Sequence, residues 1–126
     1  MLHLVCETAK FRTTDTNIGI EWVKIPQEIK LLCEDVTFQL RNNSFPLDET
    51  AVRFSHRFVC IHPFPNGNGR CSRLITDSIL VKSGRSRFTW GCENLVNASD
   101  TRTKYIQALK AADNFDIKPL LDFARS

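Results

Sequence analysis

The chain is organised around one stretch, His62-Pro63-Phe64-Pro65-Asn66-Gly67-Asn68-Gly69-Arg70-Cys71-Ser72-Arg73. Glycine and asparagine alternate from 66 to 69, and both residue types readily adopt positive φ. Successive backbone N–H groups in such a turn point inward and form an anion-binding nest. A helix that begins directly after the turn adds unpaired N–H groups and the positive end of its dipole. Since Arg70 and Arg73 lie three apart, they share one face of that helix, and the stretch predicts a phosphate cradle with His62 at its rim.

Helical periodicity lies on both sides of this stretch. The pattern before it predicts a helix over residues 48–61, with Asp48 as a plausible N-cap. Pro63 cannot continue this helix and disfavours helical backbone in the preceding residue, which places His62 at the last turn, beside the loop. The pattern after the stretch predicts a helix over residues 70–83. This second helix is apolar over much of its circumference, so we expect it to be central.

The rest of the chain predicts an all-α fold with one small β excursion. Apolar residues recur at the helical period over 26–41 and 99–112, and a short last helix is expected over 116–123. Residues 13–24 differ, because they set short β-prone pieces between Asn and Gly. Such a segment predicts a small hairpin or an extended loop.

The composition bounds the class of protein. Of the 126 residues, 42% are hydrophobic and 25% are charged, which is ordinary for one globular domain with a modest core. A net charge of +3 is too small to indicate nucleic-acid binding, which needs basic residues gathered on one face. The sequence has neither an apolar run long enough for a membrane span nor a signal-peptide pattern, so no membrane partner is expected.

The cysteines give a prediction of their own. They are odd in number, spread along the chain at positions 6, 33, 60, 71 and 92, and show no paired short spacing. They therefore indicate neither a disulfide framework nor a zinc site. Reduced thiols, and hence a cytoplasmic protein, are expected.

Residues 62–73 resemble the motif of the Fic (Fido) family, H-P-F-x-[D/E/N]-G-N-G-R-x-x-R. Within that family the chain is most similar to the bacterial group called mobile mystery protein B, through residues 11–19, Phe88-Thr-Trp-Gly and the closing Ala-Ala-Asp-Asn-x-Asp-Ile. The resemblance implies a Fic-like helical bundle with a small β-hairpin flap. Family members usually carry more helical chain before this point. The resemblance therefore implies a single Fic-type domain over residues 1–126 whose N-terminal helical portion is missing.

The resemblance also implies an activity. Fic proteins are typically protein adenylyltransferases (AMPylators), which move AMP, or another nucleoside monophosphate, from ATP or another NTP onto a Ser, Thr or Tyr hydroxyl of a protein target. By resemblance, His62 is the general base, a role that suits the pKa range of imidazole. The same resemblance makes Gly67, Asn68 and Gly69 the phosphate holders, has Arg70 grip a phosphate oxygen and Arg73 reach the terminal phosphate, and points Phe64 into the core to anchor the loop.

The implied cofactor is Mg²⁺ or Mn²⁺ with ATP, and Asn66 is its candidate protein ligand. This position is often acidic in active transferases of the family. A neutral amide oxygen still ligates a hard cation, but with less Coulomb attraction than a carboxylate. Asn66 and the short N-terminus therefore leave an alternative open: a catalytically weak or inactive Fic-like module that binds nucleotide or a protein partner.

Further interpretations concern smaller features. The flap of the family, which positions the target segment by strand addition, corresponds to Asn17, Ile18, Gly19 and Ile20, although an ordinary connecting hairpin has the same pattern. Residues 89–94 match the letters of the family's inhibitory motif, which must be helical to act. Trp90 and Gly91 disfavour a helix there, so coincidence is the preferred interpretation. Tyr105 is expected in the core rather than beside a nucleotide base, and His3 and His56 are expected to be structural or at the surface.

The missing helical start carries a prediction about assembly. Without that cover, one flank of the bundle would expose an apolar patch larger than monomers usually tolerate. We therefore expect a homo-oligomer formed by self-association, or marginal stability.

Overall fold

The computed structural model describes residues 10–92 and 98–126, and five α-helices make up most of that chain. They are α1 (Ile25–Asn42), α2 (Leu47–Ile61), α3 (Asn68–Lys82), α4 (Ala98–Asp113) and α5 (Lys118–Ala124), with a 3₁₀ turn at Trp22–Lys24 before α1. Each predicted helix is present, with ends that differ by a residue or two, and the described residues contain no strand. The all-α prediction is confirmed. No helix in this part of the chain is long and apolar enough to cross a membrane.

The predicted N-cap of α2 is wrong. The helix begins at Leu47, after Pro46, without a side-chain cap. The Asp48 carboxylate instead pairs with two arginines, Arg85 at 2.6 Å and Arg125 at 2.7 Å. Each arginine donates two charge-assisted hydrogen bonds to Asp48. These four bonds outweigh a single backbone cap, so Asp48 lies inside the first turn and ties α2 to the end of α5.

The central helix is α2, and the prediction that the helix after the loop is central is wrong. Two core clusters share α2. One packs α1, α2 and α3 through Ile25, Ile29, Leu32, Val36, Phe54, Phe58, Ile61, Ile75 and Ile79. The other joins α2 and α3 to the C-terminal part of the chain through Ala51, Val52, Leu80, Phe88, Ala108, Ala112, Leu120 and Ala124.

The apolar residues of α3 led to the wrong prediction of a central helix because some of them are exposed to solvent. Leu74 and Val81 point away from α2 and are 68% and 59% exposed. The face that meets α2 is partly polar and small. Ser72 Oγ lies 2.7 Å from Ser55 Oγ, and Thr76 donates to the Ser72 carbonyl at 2.7 Å, all of them buried. Small hydrogen-bonded side chains let the two backbones approach closely and fix the register of α3 on α2.

The hairpin predicted within residues 13–24 is wrong, and the alternative of a loop is what the structure shows. Residues 13–20 form bends that lie against the end of α2. Arg12 N donates to the Pro63 carbonyl at 2.9 Å, and Ile20 N donates to the Ile61 carbonyl at 3.4 Å. The backbone of this segment pairs with the end of α2 instead of with itself, so no hairpin forms.

Candidate functional site

His62 stands immediately after α2, as the sequence predicted. Its backbone is left-handed, with φ 53° and ψ 60°, and its N–H closes the helix by donating to the Phe58 carbonyl at 3.1 Å. The side chain is half-buried on the wall of a cleft. Burial lowers the pKa of the His62 imidazole below its ordinary value, and the positive charge of Arg12 lowers that pKa further. The ring is therefore neutral and able to accept a proton near neutral pH.

Arg12 holds this arrangement together, and sequence reasoning did not single it out. Its guanidinium is buried and donates to carbonyl oxygens at the end of α2: His62 at 2.6 Å and Ile61 at 3.3 Å. It also donates to Thr14 at 2.9 Å and Ile20 at 2.6 Å. A cation at a helix C-terminus meets the negative end of the helix dipole and the unpaired carbonyls there. One side chain therefore ends α2 and fixes the preceding segment beneath His62.

The loop between α2 and α3 is closed by Asn68. Its side-chain oxygen accepts from the Phe64 N–H, and its amide nitrogen donates to the Phe64 carbonyl, both at 2.8 Å. The Phe64 ring lies 5.8 Å from Phe11 and 6.2 Å from Phe58, so its predicted role as the anchor of the loop is confirmed. Because the Asn68 side chain is occupied in this way, Asn68 offers a ligand only its backbone N–H.

The residues of the predicted cradle lie at the N-terminus of α3. Gly67 has φ 75°, a left-handed conformation that suits glycine, and α3 begins at the next residue. Helices leave their first N–H groups without intrahelical partners, and the residues that carry these groups in α3, Asn68, Gly69 and Arg70, line the cleft. A Cβ on Gly69 would lie 3.3 Å from Arg73 Nη1, so glycine leaves room for that guanidinium.

Arg70 and Arg73 lie on the cleft side of α3, as their spacing predicted. Arg70 is exposed. The guanidinium carbon of Arg73 lies 5.7 Å from the centre of the Tyr105 ring, within the range of a cation–π contact. This contact holds one arginine at the wall while the other reaches into solvent.

All the predicted residues of the loop meet in one cleft of about 960 Å³, at the upper end of the range typical of ligand sites. They are His62, Asn66, Gly67, Asn68, Gly69, Arg70 and Arg73. The facing wall is largely aromatic and apolar, with Trp90, Tyr105, Ile106, Leu109 and Phe123. The cleft therefore has a cationic half and an apolar half.

Tyr105 packs against the second core cluster, as expected, and it borders the cleft as well. Its hydroxyl oxygen is buried with no hydrogen-bond partner among the described residues. Burial raises the pKa of Tyr105, and the nearby Arg73 opposes that rise. Trp90 lies edge-on to Tyr105, with the ring centres 6.4 Å apart. Two donors hold Trp90 in place: its backbone N–H donates to the Ala124 carbonyl of α5 at 2.9 Å, and its indole N–H donates to Asp77 at 3.3 Å. No local signal in the sequence could have placed these two rings together.

The predicted flap residues border the same cleft without forming strands. Ile18 is 63% exposed and lines the rim of the cleft. Gly19 packs so tightly that a Cβ there would lie 2.6 Å from His62 Cβ. Asn17 is exposed, whereas Ile20 packs against the first core cluster. The inhibitory-motif letters end at Glu93 and Asn94, which lie outside the described residues. Trp90–Cys92 before them form a turn, not a helix.

Comparison with known proteins gives consistent matches. The model of the Fic/DOC family matches residues 5–80. Protein adenylyltransferase Fic of Drosophila grimshawi is 29% identical over 121 residues, covering 93% of this chain and 23% of that protein. Protein adenylyltransferase fic-1 of Caenorhabditis elegans is 26% identical over 121 residues, covering 93% and 22%. The chain thus spans less than a quarter of the length of these relatives.

A solved structure shares the fold. A Fic domain containing signaling protein from Bacteroides thetaiotaomicron superposes with a TM-score of 0.69 at 20% identity, covering 83% of this chain and 43% of that one. The narrower similarity to the mobile mystery protein B group stays a prediction. The family model covers more than half of the chain, and the helices of the bundle hold the motif residues on one cleft. This chain belongs to the Fic/DOC family.

Proposed function

We propose that this domain is a protein nucleotidyltransferase that moves AMP, or another nucleoside monophosphate, from ATP or another NTP onto a Ser, Thr or Tyr hydroxyl of a protein. The observation that carries the proposal is the convergence of His62, the N-terminus of α3 and two arginines on one cleft. The relatives named protein adenylyltransferase support the same chemistry. They are matched over only part of their length, so the activity is proposed for this domain on its own residues.

The cationic half of the cleft is suited to a polyphosphate. Backbone N–H groups at Gly69 and Arg70, at the positive end of the α3 dipole, can donate to phosphate oxygens. The exposed Arg70 adds a planar guanidinium for a phosphate oxygen, and Arg73 adds a second charge further along the cleft. Phosphoryl transfer depends mainly on such positioning and charge stabilisation.

His62 supplies the proton chemistry. The hydroxyl oxygen of the target attacks the α-phosphorus, a new P–O bond forms, and the bond to the bridging oxygen breaks. Pyrophosphate leaves with the electrons of that bond. The hydroxyl proton passes to the neutral imidazole of His62, which its lowered pKa keeps ready to accept it.

The apolar half of the cleft suits a nucleoside base. Tyr105 and Trp90 offer aromatic surface against which a base can pack. At the other end, Asn66 is exposed in the cleft, and its amide oxygen fits the oxygen donor set that Mg²⁺ or Mn²⁺ prefers. When bound with the nucleotide, the metal ion neutralises charge on the phosphates.

The experiment is incubation of the purified chain with ATP labelled at the α-phosphate, in Mg²⁺ or Mn²⁺, with a mixture of protein acceptors. Label should appear on protein. His62→Ala should lower the transfer rate by roughly 10²–10⁴-fold, the usual contribution of a general base, while nucleotide still binds. Binding can be followed through fluorescence of Trp90, which lines the cleft, in a Trp22→Phe background. Equal labelling by the His62→Ala variant would remove the histidine from the mechanism.

The second candidate function is a nucleotide-binding module with little or no transfer. Asn66 favours it, since an amide attracts Mg²⁺ less than the carboxylate often found at this position. The same experiment separates the candidates. Quenching of Trp90 by ATP without label on any protein would favour the module, and label that depends on His62 would favour the transferase.

A further inference from the structure

A second group of reactive side chains lies beside the cleft and takes no part in the proposed transfer. His56 and Cys60 stand four residues apart on α2, so both face the same way. Asp113, the last residue of α4, meets them there. His56 Nε2 lies 2.7 Å from Asp113 Oδ1 and 3.4 Å from Cys60 Sγ, and Cys60 Sγ lies 3.6 Å from Asp113 Oδ1.

Three donor atoms this close define a common centre. In tetrahedral zinc sites the bonds to His nitrogen, Cys sulfur and carboxylate oxygen are about 2.0–2.3 Å long. That geometry places nitrogen and sulfur about 3.6 Å apart, sulfur and oxygen about 3.6 Å apart, and nitrogen and oxygen about 3.4 Å apart. The two distances to sulfur already match. The His56–Asp113 distance must open by less than an ångström, for which Asp113 has room because its side chain is 56% exposed.

We propose that His56, Cys60 and Asp113 bind a zinc ion that joins α2 to the end of α4. Imidazole nitrogen, thiolate and carboxylate are a ligand set that Zn²⁺ accepts, with water as the fourth ligand. Water reaches the group from both sides, because it borders the cleft and also a second hollow of about 390 Å³. The site does not depend on the transferase proposal.

The charges around the group favour a cation. Asp113 ends α4, where a carboxylate meets the negative end of the helix dipole, an unfavourable position that a bound cation relieves. The nearest arginines on α2 do not neutralise the Asp113 carboxylate, because Arg53 pairs with Glu49 and Arg57 pairs with Asp35. Within the described part of the chain, the ionic partner of Asp113 is His56.

A cysteine nucleophile activated by His56 is the other chemistry that these residue types suggest, and the geometry opposes it. A catalytic relay uses both ring nitrogens, one for the thiol and one for the carboxylate. Here both contacts fall on the same atom, Nε2.

The test is titration of the reduced, purified chain with Zn²⁺ and with Co²⁺, without nucleotide. We expect one metal ion per chain, a thiolate-to-cobalt charge-transfer band, and the visible bands of four-coordinate Co²⁺. Cys60→Ser should abolish the charge-transfer band, and His56→Gln and Asp113→Asn should each weaken Zn²⁺ binding by more than about tenfold. Cys92→Ser, which changes another exposed cysteine, should bind like the wild-type chain.

Two outcomes would overturn the proposal. One is the absence of a charge-transfer band from the wild-type chain at saturating Co²⁺, a result that depends on no variant. The other is Zn²⁺ binding that Cys60→Ser and Asp113→Asn leave unchanged, which would locate the metal elsewhere. His62→Ala serves as a further control, since His62 faces the neighbouring cleft and its loss should leave the cobalt spectrum intact.

Discussion

His62 holds a conformation that a residue with a side chain seldom adopts, φ 53°. Such a backbone persists only where its surroundings compensate the cost. Arg12 provides that compensation through two of its carbonyl contacts, to His62 and Ile61. A buried cation that serves four carbonyls is also costly to remove, because each acceptor would lose a charge-assisted hydrogen bond.

Replacing Arg12 with methionine keeps the length of the side chain and removes its donors. We expect the Arg12→Met variant to lose about 2–4 kcal/mol of unfolding free energy, since four carbonyls lose a charged partner. Urea denaturation measures this loss of unfolding free energy. Arg41→Met, at an exposed arginine on α1, is the control and should change stability by less than about 0.5 kcal/mol. Equal effects of the two substitutions would contradict the role given to Arg12.

Gly19 makes a prediction about the position of His62. At φ 97°, alanine at 19 would adopt an unfavourable backbone conformation, and its Cβ would also lie 2.6 Å from His62 Cβ. Gly84 is the matched control, because its φ is 82° and a Cβ at that position would have no neighbour within 4 Å. Gly84→Ala should therefore cost only about 1 kcal/mol, which reflects the backbone conformation alone. Gly19→Ala should cost more and should also slow label transfer, and a labelling rate equal to that of Gly84→Ala would refute the tight contact.

At the scale of elements, the sequence predicted the helices, because their positions and ends depend on local pattern. The five helices follow from the 3.6-residue period and from Pro26, Pro46 and Pro63 at their ends. The hairpin failed because residues 13–20 find their backbone partners at the end of α2, about forty residues away in the chain. The role of Arg12 and the meeting of Trp90 with Tyr105 were beyond reach for the same reason. Long-range pairing leaves no local period in a sequence.

The link between α2 and α5 predicts a dependence on pH. Pairing with Arg125 and Arg85 holds the pKa of Asp48 well below its usual range. A folded-state pKa below the unfolded value of about 3.9 means that this stabilisation is present at neutral pH. This stabilisation is lost as the pH falls from the unfolded-state pKa toward the folded-state pKa. The Asp48 carboxylate takes up a proton first in the unfolded chain and, at lower pH, in the folded protein as well.

Asp48→Asn should therefore destabilise the domain at pH 7 by about 1–3 kcal/mol, and this cost should be smaller by about 1 kcal/mol at pH 3, where part of the stabilisation is lost. Urea denaturation at both values measures the difference. Asp35→Asn is the control, because its pair with Arg57 is about half exposed and such pairs contribute little. A cost for Asp48→Asn that stays the same at both pH values would contradict the ion-pair explanation.

At the scale of the whole molecule, α2 belongs to both core clusters. Phe54 and Phe58 face the cluster shared with α1, while Ala51 and Val52 face the cluster shared with α5. Loss of either cluster would expose one side of the helix that carries His62 at its end. The geometry of the proposed site therefore depends on both halves of the core, including the half against which Tyr105, the ring beside Arg73, packs.

The shared helix predicts that the two clusters unfold together. Ile29 and Leu120 are each 1% exposed, one in each cluster, and Ile29→Ala and Leu120→Ala should each cost about 2–5 kcal/mol. Trp22 lies before α1 and Trp90 packs against the second cluster, so single-tryptophan variants give each half its own probe. Both probes should report the same transition midpoint. Either substitution, Ile29→Ala or Leu120→Ala, should lower that midpoint for both probes. Leu74→Ala, at a residue that is 68% exposed, should leave the transition midpoint nearly unchanged. If Leu120→Ala shifted the Trp90 transition and not the Trp22 transition, the halves would unfold separately, and α2 would not couple them.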